Sequence, residues 1–266
     1  MRLDVFMVES ALAESRTRAA ELIREGLVSV NGQAMKKPSC EVSESDRVTV
    51  SDGGLAYVGR GALKLVAAAD TWNIDFNGLT CADIGASTGG FTEVMLERGA
   101  KKVYAVDIGH GQLHPRLAQD PRVINLEGVN ARYMDVDTLG EQVDAVCADL
   151  SFISQTLVLE AIAKILKPDG FYVGLIKPQF ECGRSAIGKG GIVKDIKAHT
   201  EAVQRVTGFA ASLGFECIGL TVSPITGGDG NREFLARYIL RKSPCEPLGA
   251  DGIKAITEGI RKGARK

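Results

Sequence analysis

Lys64, Asp149, Lys177 and Glu233 each stand at or near the end of an apolar run, and together they have the makings of a proton-handling site. A lysine accepts a proton only while neutral, and carboxylates beside it can orient it. Asp149 follows residues 143–148, Lys177 follows residues 171–176 and is stiffened by Pro178, and Glu233 opens a last run that reaches residue 240. Lys64 comes earlier, in Tyr57-Val58-Gly59-Arg60-Gly61-Ala62-Leu63-Lys64-Leu65, just before the first long strand. Two carboxylates flanking Lys177 favour its charged form, whereas desolvation and Lys64 favour the neutral form that a base requires.

A second chemical feature is the segment Asp83-Ile84-Gly85-Ala86-Ser87-Thr88-Gly89-Gly90-Phe91-Thr92-Glu93. An apolar run precedes it and an amphipathic stretch follows, so it reads as strand, glycine turn and helix start. Glycines let backbone approach a ligand closely, and a helix N-terminus offers unpaired N–H groups. The candidate cofactor-facing residues are Asp83, Gly85, Ala86, Ser87, Gly89, Gly90 and Phe91, joined by Asp107, which closes the next strand where a carboxylate can accept from ribose hydroxyls. An NAD site calls for Gly-x-Gly-x-x-Gly, but here the spacing is Gly85-x-x-x-Gly89-Gly90. A phosphate loop calls for Gly-Lys-Ser/Thr after the glycines, and none follows. The expectation left is S-adenosylmethionine.

The elements that position these residues alternate. Residues 80–84, 102–107, 122–126, 143–148 and 171–176 read as strands, most of them apolar on both faces as buried parallel strands are. Residues 91–98, 155–166 and 198–213 read as helices. Residues 215–222 and 233–240 are two strands with only the glycine-rich loop Gly227-Gly228-Asp229-Gly230 between them, which predicts an antiparallel hairpin closing the sheet. The fold class is α/β, a doubly wound Rossmann-like sheet with a terminal antiparallel strand. Ligands of such sheets sit outside the carboxyl ends of the parallel strands, so Asp149, Lys177 and Glu233 should converge on the glycine loop's edge.

Residues 1–54 form a separate small α+β module in this reading. Residues 15–24 make an amphipathic helix stopped by Gly26, Leu27-Val28-Ser29-Val30 alternates like a strand, Asn31-Gly32 is a hairpin turn, and Arg47-Val48-Thr49-Val50 is a later strand. Ser51-Asp52-Gly53-Gly54 reads as a linker, residues 55–65 as the approach to the second domain, 66–242 as that domain, and 243–266 as a basic, solvated tail. The module resembles the S4-type RNA-binding domain through Arg2-Leu3-Asp4, Ser15-Arg16-Thr17-Arg18-Ala19, Leu22-Ile23, the stretch from Gly26 to Gly32, and Asp46-Arg47-Val48-Thr49-Val50. That resemblance implies an RNA face at Arg2, Arg16, Arg18, Lys36 and Lys37, with Arg60 beyond the linker. Residues 1–50 carry seven Lys and Arg against eight Asp and Glu, so such a face must come from local clustering.

Bulk composition narrows the classes further. The 266 residues are 45% hydrophobic and 24% charged with a formal net charge of -1, enough for a sizeable core and without a bulk electrostatic argument for a polyanion or membrane partner. No uncharged apolar run approaches the ~18 residues of a spanning helix. Asp4, Glu9, Glu14, Arg16 and Arg18 interrupt any secretory leader. The six cysteines are scattered without a Cys-x-x-Cys pair, and Cys81, Cys147 and Cys217 fall in apolar runs as small hydrophobes. The expectation is a cytoplasmic protein without a metal.

Taken in order, Lys64, Asp149, Lys177 and Glu233 resemble the Lys-Asp-Lys-Glu tetrad of FtsJ-type ribose 2′-O-methyltransferases. With the S4-type front end, Val58-x-Arg60-Gly61-x-x-Lys64-Leu65, the glycine loop and Lys177-Pro178-Gln179-Phe180-Glu181, residues 1–240 are similar to the TlyA (hemolysin A) family. The resemblance implies S-adenosylmethionine-dependent 2′-O-methylation of ribosomal RNA, at cytidine, with rRNA or ribosomal subunits as partner. It also implies that Gly85, Ala86, Ser87 and Gly90 line the methionine part of the cofactor, Asp107 its ribose and Asp149 its sulfonium side. The competing readings are a non-catalytic RNA-binding or ribosome-assembly protein, a dehydrogenase, and a membrane-active hemolysin, for which no basic amphipathic helix or apolar span is evident in the sequence.

Overall fold

Asn31 and Gly32 both take positive φ (51° and 82°), the conformation that a two-residue hairpin turn requires. They join β1 (Val28–Val30) to β2 (Gln33–Met35), and β3 (Val48–Val50) pairs antiparallel with the other edge of β1. In this computed structural model, residues 11, 14–15, 25, 44, 51–56, 229 and 264–266 lie outside the described residues, as do the side chains of 17, 21 and 260–263. The expected linker 51–54 therefore lies outside them. The chain divides into two compact units, Met1–Arg60 and Gly61–Lys266.

In the first unit, α1 (Leu3–Glu9) and α2 (Arg16–Arg24) pack on each other. Leu3, Met7, Ala19, Leu22, Ile23, Val28, Val30 and Val42 make its core. Helix α1 was not among the expected elements, although Leu3, Phe6 and Met7 have helical spacing. Asp4 is buried and accepts both Nε and an Nη of Arg2 at 2.9 Å, with Arg16 at 3.3 Å. Arg2's hydrogen bonds, against burial and aided by Arg16, hold the Asp4 carboxyl down at about 2. Two of the arginines expected to face RNA thus share a buried acidic anchor.

In the second unit, β4 (Thr80–Ile84), β5 (Lys102–Val106), β6 (Val123–Leu126), β7 (Val143–Ala148) and β8 (Leu166–Ile176) run parallel, while β9 (Phe215–Val222) and β10 (Phe234–Leu240) form the antiparallel closing hairpin. The strand order is β6-β5-β4-β7-β8-β10-β9. β4 is fully buried, which explains its unbroken apolar character around Asp83. α4 (Gly90–Glu97) packs against β4 and β5, α7 (Leu159–Ile165) against β8, and α9 (Ile196–Ser212) against β8 and β9. Tyr172 and Tyr238 stack across the β8–β10 pair at 5.4 Å. Short helices α5 (Pro115–Ala118), α6 (Val136–Leu139) and α8 (Pro178–Glu181) fill the connections.

Three expectations change. Residues 61–65, read as part of the approach, open α3 (Ala62–Thr71), whose Ala62, Leu65, Ala68 and Ala69 are buried at helical spacing. The helix expected over 155–166 is a short 3-10 turn at Gln155–Leu157 followed by α7. The tail is not simply solvated: α10 (Ala250–Gly263) packs on α9 and β9, buries Ile253, and ties the buried Thr257 hydroxyl to Thr200 at 2.7 Å. An apolar stripe compensates for the basic residues at its end.

Candidate active site

From β4 the chain winds outward through β5 and β6, then returns to lay β7 on the other side of β4. That reversal opens a crevice at the carboxyl ends of β4 and β7, the usual ligand position in an open α/β sheet. The glycine loop lines it. Gly85 (φ 82°), Ser87 (φ 48°) and Gly89 (φ 93°) turn the chain sharply, and Gly85 and Ala86 donate to the Val106 carbonyl at 2.8 and 3.1 Å. A Cβ on Gly85 would sit 3.0 Å from the Asp149 carbonyl oxygen, so glycine lets this loop close on the end of β7. Asp107 binds the loop from β5: one oxygen accepts Ser87 N–H at 2.8 Å and the other Gly109 N–H at 2.7 Å. Carboxylate lone pairs remain beyond those two bonds for hydroxyl donors.

The other loop glycines have a packing role in view. A Cβ on Gly89 would collide with Leu117 and Leu113, and one on Gly90 would lie 3.0 Å from the Ala62 nitrogen, so Gly90 lets α4 meet α3 closely. Phe91 is buried in the interior, and Ala86 is buried in the loop. Asp83 is also buried. Its Oδ2 accepts the Thr92 N–H at 2.8 Å and hydroxyl at 2.7 Å, while Oδ1 has no hydrogen-bond partner among the described residues. Burial, against Thr92's hydrogen bonds and reinforced by Asp149 and Asp107, pushes its carboxyl up to about 7.

All four tetrad residues come together, as one chain of ion pairs. Lys64 Nζ lies 2.7 Å from Glu233 Oε2 and 3.0 Å from Asp149 Oδ2. Lys177 Nζ lies 2.6 Å from Asp149 Oδ1 and donates to Ser151 Oγ at 2.9 Å. Lys64, Lys177 and Glu233 are 6, 7 and 2% exposed, and the Asp149 side chain is 19% exposed, so the cluster opens to solvent at Asp149. Each comes from a different element: the first turn of α3, the end of β7, the end of β8 and the entry to β10. The arrangement differs from expectation in one respect, since the lysine between two carboxylates is Lys64 rather than Lys177. Burial alone would lower Lys64, but Asp149 and Glu233 outweigh it and raise its affinity for the proton. Burial likewise opposes ionisation of Asp149, yet Lys177 and then Lys64 hold its carboxyl well below the usual range.

Several site residues were not singled out in the sequence. Ser151, two residues past Asp149, is Lys177's second partner. Gly227 leaves room for Glu233, whose Oε1 would lie 2.6 Å from a Cβ there. Buried Asn231 accepts from Val193 N–H and donates to the Gly191 carbonyl, both at 2.9 Å, and so braces the entry to β10. The glycine-rich loop before Glu233 was a visible signal, whereas Ser151 and Asn231 had none beyond proximity in sequence. The residues expected to face RNA all lie in the first unit: Lys36 and Lys37 are exposed after β2, and Arg18 and Arg60 are half-buried. Among the described residues, no His, Cys, Asp and Glu cluster could hold a metal ion, all six cysteines are unpaired, and no helix is long and apolar enough to cross a membrane.

An orphaned buried acceptor at Asp83, a loop that admits close backbone approach, and a carboxylate on the adjacent strand suit a cofactor that carries an amine and ribose hydroxyls. Beside it lie two amines and two carboxylates able to hold or move a proton. Comparison with known proteins agrees. The model of the FtsJ-like methyltransferase family matches residues 57–238, and that of the S4 domain matches residues 1–48. A Mycobacterium tuberculosis protein described as 16S/23S rRNA (cytidine-2'-O)-methyltransferase TlyA is 44% identical over 264 residues, covering 97% of this chain and 98% of that protein. The putative rRNA methyltransferase YqxC of Bacillus subtilis is 43% identical over 88% of this chain and 84% of its own. A solved structure, a putative hemolysin from Streptococcus thermophilus, is 41% identical with a TM-score of 0.78, covering 100% of this chain and 98% of that one. The cofactor of this methyltransferase fold is S-adenosylmethionine. An S4 RNA-binding domain followed by an FtsJ-like catalytic domain, matched along nearly its whole length, makes this chain a member of the TlyA family of rRNA 2′-O-methyltransferases.

Proposed function

We propose that this protein methylates the ribose 2′-oxygen of cytidine in ribosomal RNA, in the cytoplasm where ribosomes are assembled. The observation that carries this reading is the buried chain Glu233–Lys64–Asp149–Lys177, which closes against the Gly85 loop at the sheet's switch point. The M. tuberculosis relative's description supports cytidine and rRNA as the acceptor. Bound S-adenosylmethionine supplies an electrophilic methyl group. The chain's own task is to hold the ribose hydroxyl in line and relieve it of its proton, and such positioning can contribute about 7–11 kcal/mol.

The two lysines divide that task. Lys64 sits between two carboxylates and stays charged, so it serves as the fixed cation that orders Asp149 and Glu233. Proton acceptance is assigned to Lys177, which has to give up its own proton first; its partners are one shared carboxylate and the neutral Ser151 hydroxyl. Asp149 orients Lys177 and faces the Gly85 loop; Glu233 acts on Lys177 only through Lys64. Gly85, Ala86 and Ser87 form the cofactor's cradle, Asp107 accepts from its ribose hydroxyls, and Asp83 takes a donor through its free oxygen. Arg16, Arg18, Lys36 and Lys37 contribute an RNA face on the S4 unit.

The test is methyl transfer from labelled S-adenosylmethionine to ribosomal RNA, with the modified ribose mapped. Lys177→Ala should lower transfer by about 10²–10⁴-fold while calorimetric affinity for the cofactor stays close to wild type. Undiminished turnover in this variant would remove Lys177 from the role, and a label on a base would remove the ribose.

A further inference from the structure

Several cations on the second unit's surface are committed to carboxylates. Arg98 pairs with Asp70, Lys102 with Glu141, Arg122 with Asp120, and Arg241 with both Asp169 and Glu216. The segment from residue 184 to 194 instead gathers unpaired cations next to the site. Arg184, Lys189 and Lys194 are exposed there and have no carboxylate partner among the described residues, and neither has half-buried Arg232 alongside. The nearest acid in sequence, Asp195, accepts the Lys197 N–H at the start of α9. Gly190 and Gly191 both take φ 79°, and no atom lies within 4 Å of a Cβ placed on either, so the backbone here is open to a close-approaching partner.

This strap is built onto the wall of the site. It leaves α8 just beyond the carboxyl end of β8, where Lys177 stands. Asn231 then pins it through Val193 and Gly191, and a His199 ring nitrogen, Nε2, meets the Val193 carbonyl at 3.0 Å. Asn231 is two residues before Glu233, and β10 runs antiparallel to β8 with Phe234 opposite Ile176. Both anchors therefore sit on the same sheet edge as the tetrad. Uncommitted cations held on a fixed strap at that edge are suited to a polyanion whose backbone passes the site.

We propose that Arg184, Lys189 and Lys194 form a phosphate-contacting strap, held by Asn231 against the Glu233 loop, through which the catalytic unit itself grips the RNA strand presenting the target ribose. The proposal rests on the RNA-methylation reading above, and it assigns RNA contact to the catalytic unit as well as to the S4 domain.

The experiment compares two triple variants of the full chain on ribosomal RNA. In one, Arg184, Lys189 and Lys194 become Ala. In the other, Lys101, Lys164 and Lys242 become Ala, removing the same charge from the opposite edge, beside the start of β5, the start of β8 and the end of β10. The strap variant should raise KM for RNA about tenfold at physiological salt with kcat within about twofold. It should also make the log–log salt dependence of RNA binding shallower by about two, as loss of three phosphate contacts on a single strand predicts. The opposite-edge variant should change KM by less than about twofold, and Arg184→Lys with Lys189→Arg and Lys194→Arg should restore the salt slope. Equal effects from the two Ala triples, or an unchanged salt slope in the strap variant, would overturn the strap. Absence of RNA methylation by the wild-type protein would instead overturn the reading beneath it.

Discussion

Asp83 carries two opposed demands at one side chain. Its Oδ2 is held by two donors from Thr92, and its Oδ1 is buried without one among the described residues. Because burial raises the folded carboxyl from an ordinary 3.8 to about 7, the stability it contributes is complete below about pH 4 and is lost as pH rises through 7. Asp83→Asn removes that titration. Urea unfolding at pH 5 and pH 8 should therefore show the variant gaining on wild type by a few kcal/mol at the higher pH, since each tenfold change in proton affinity is worth about 1.4 kcal/mol. A difference that is the same at both pH values would contradict a buried, titrating Asp83. The tetrad shows the same dependence on particular partners. Its four members were legible as residue types at element ends, but the pairing was not, because Glu233 reaches Lys64 only through the α3 helix that places Lys64 in its first turn.

At the scale of elements, the β4–loop–α4 unit is held by glycines of different kinds. Gly89 combines positive φ with contact to Leu113 and Leu117, so Gly89→Ala meets both backbone strain and overpacking, together about 2–4 kcal/mol. Gly140, which lies outside this unit at the end of α6, also has positive φ (82°) but open space around its Cβ position, so Gly140→Ala isolates the backbone cost of about 1–2 kcal/mol. Thermal unfolding should show a loss of roughly 5–15 °C for the first and clearly less for the second. Equal losses would mean that Leu113 and Leu117 move aside freely. The same scale shows which elements were readable. β7 and β9 match the expected spans 143–148 and 215–222, because each is mostly apolar and is bounded by polar or turn-forming residues. α3 was hidden by its alanines and its glycine-rich approach, and α10 by the basic residues that end it, although Ile253 and Ile256 were already at helical spacing.

At the scale of the whole molecule, each unit has its own core, one around Leu3, Ile23 and Val28, the other around Ile84, Val146, Tyr172 and Phe234. A chain starting at residue 57 should therefore keep cofactor affinity within about threefold by calorimetry while its KM for RNA rises tenfold or more, on the order expected when several phosphate contacts are lost. Loss of cofactor binding in that fragment would show that the catalytic unit does not fold by itself. The α/β alternation, the closing hairpin, the glycine loop with Asp107 and the four tetrad residues were determined by sequence alone, since each depends on local periodicity or on one residue type at an element's end. Tertiary structure decided what those residues touch. Lys64 lies 85 residues from Asp149, and the strap's Val193 lies 38 from Asn231, so neither contact leaves a periodic trace. A buried ion chain also depends on distances of about 3 Å. Such distances are set only when the sheet's register and the helices that cross its edge are both in place.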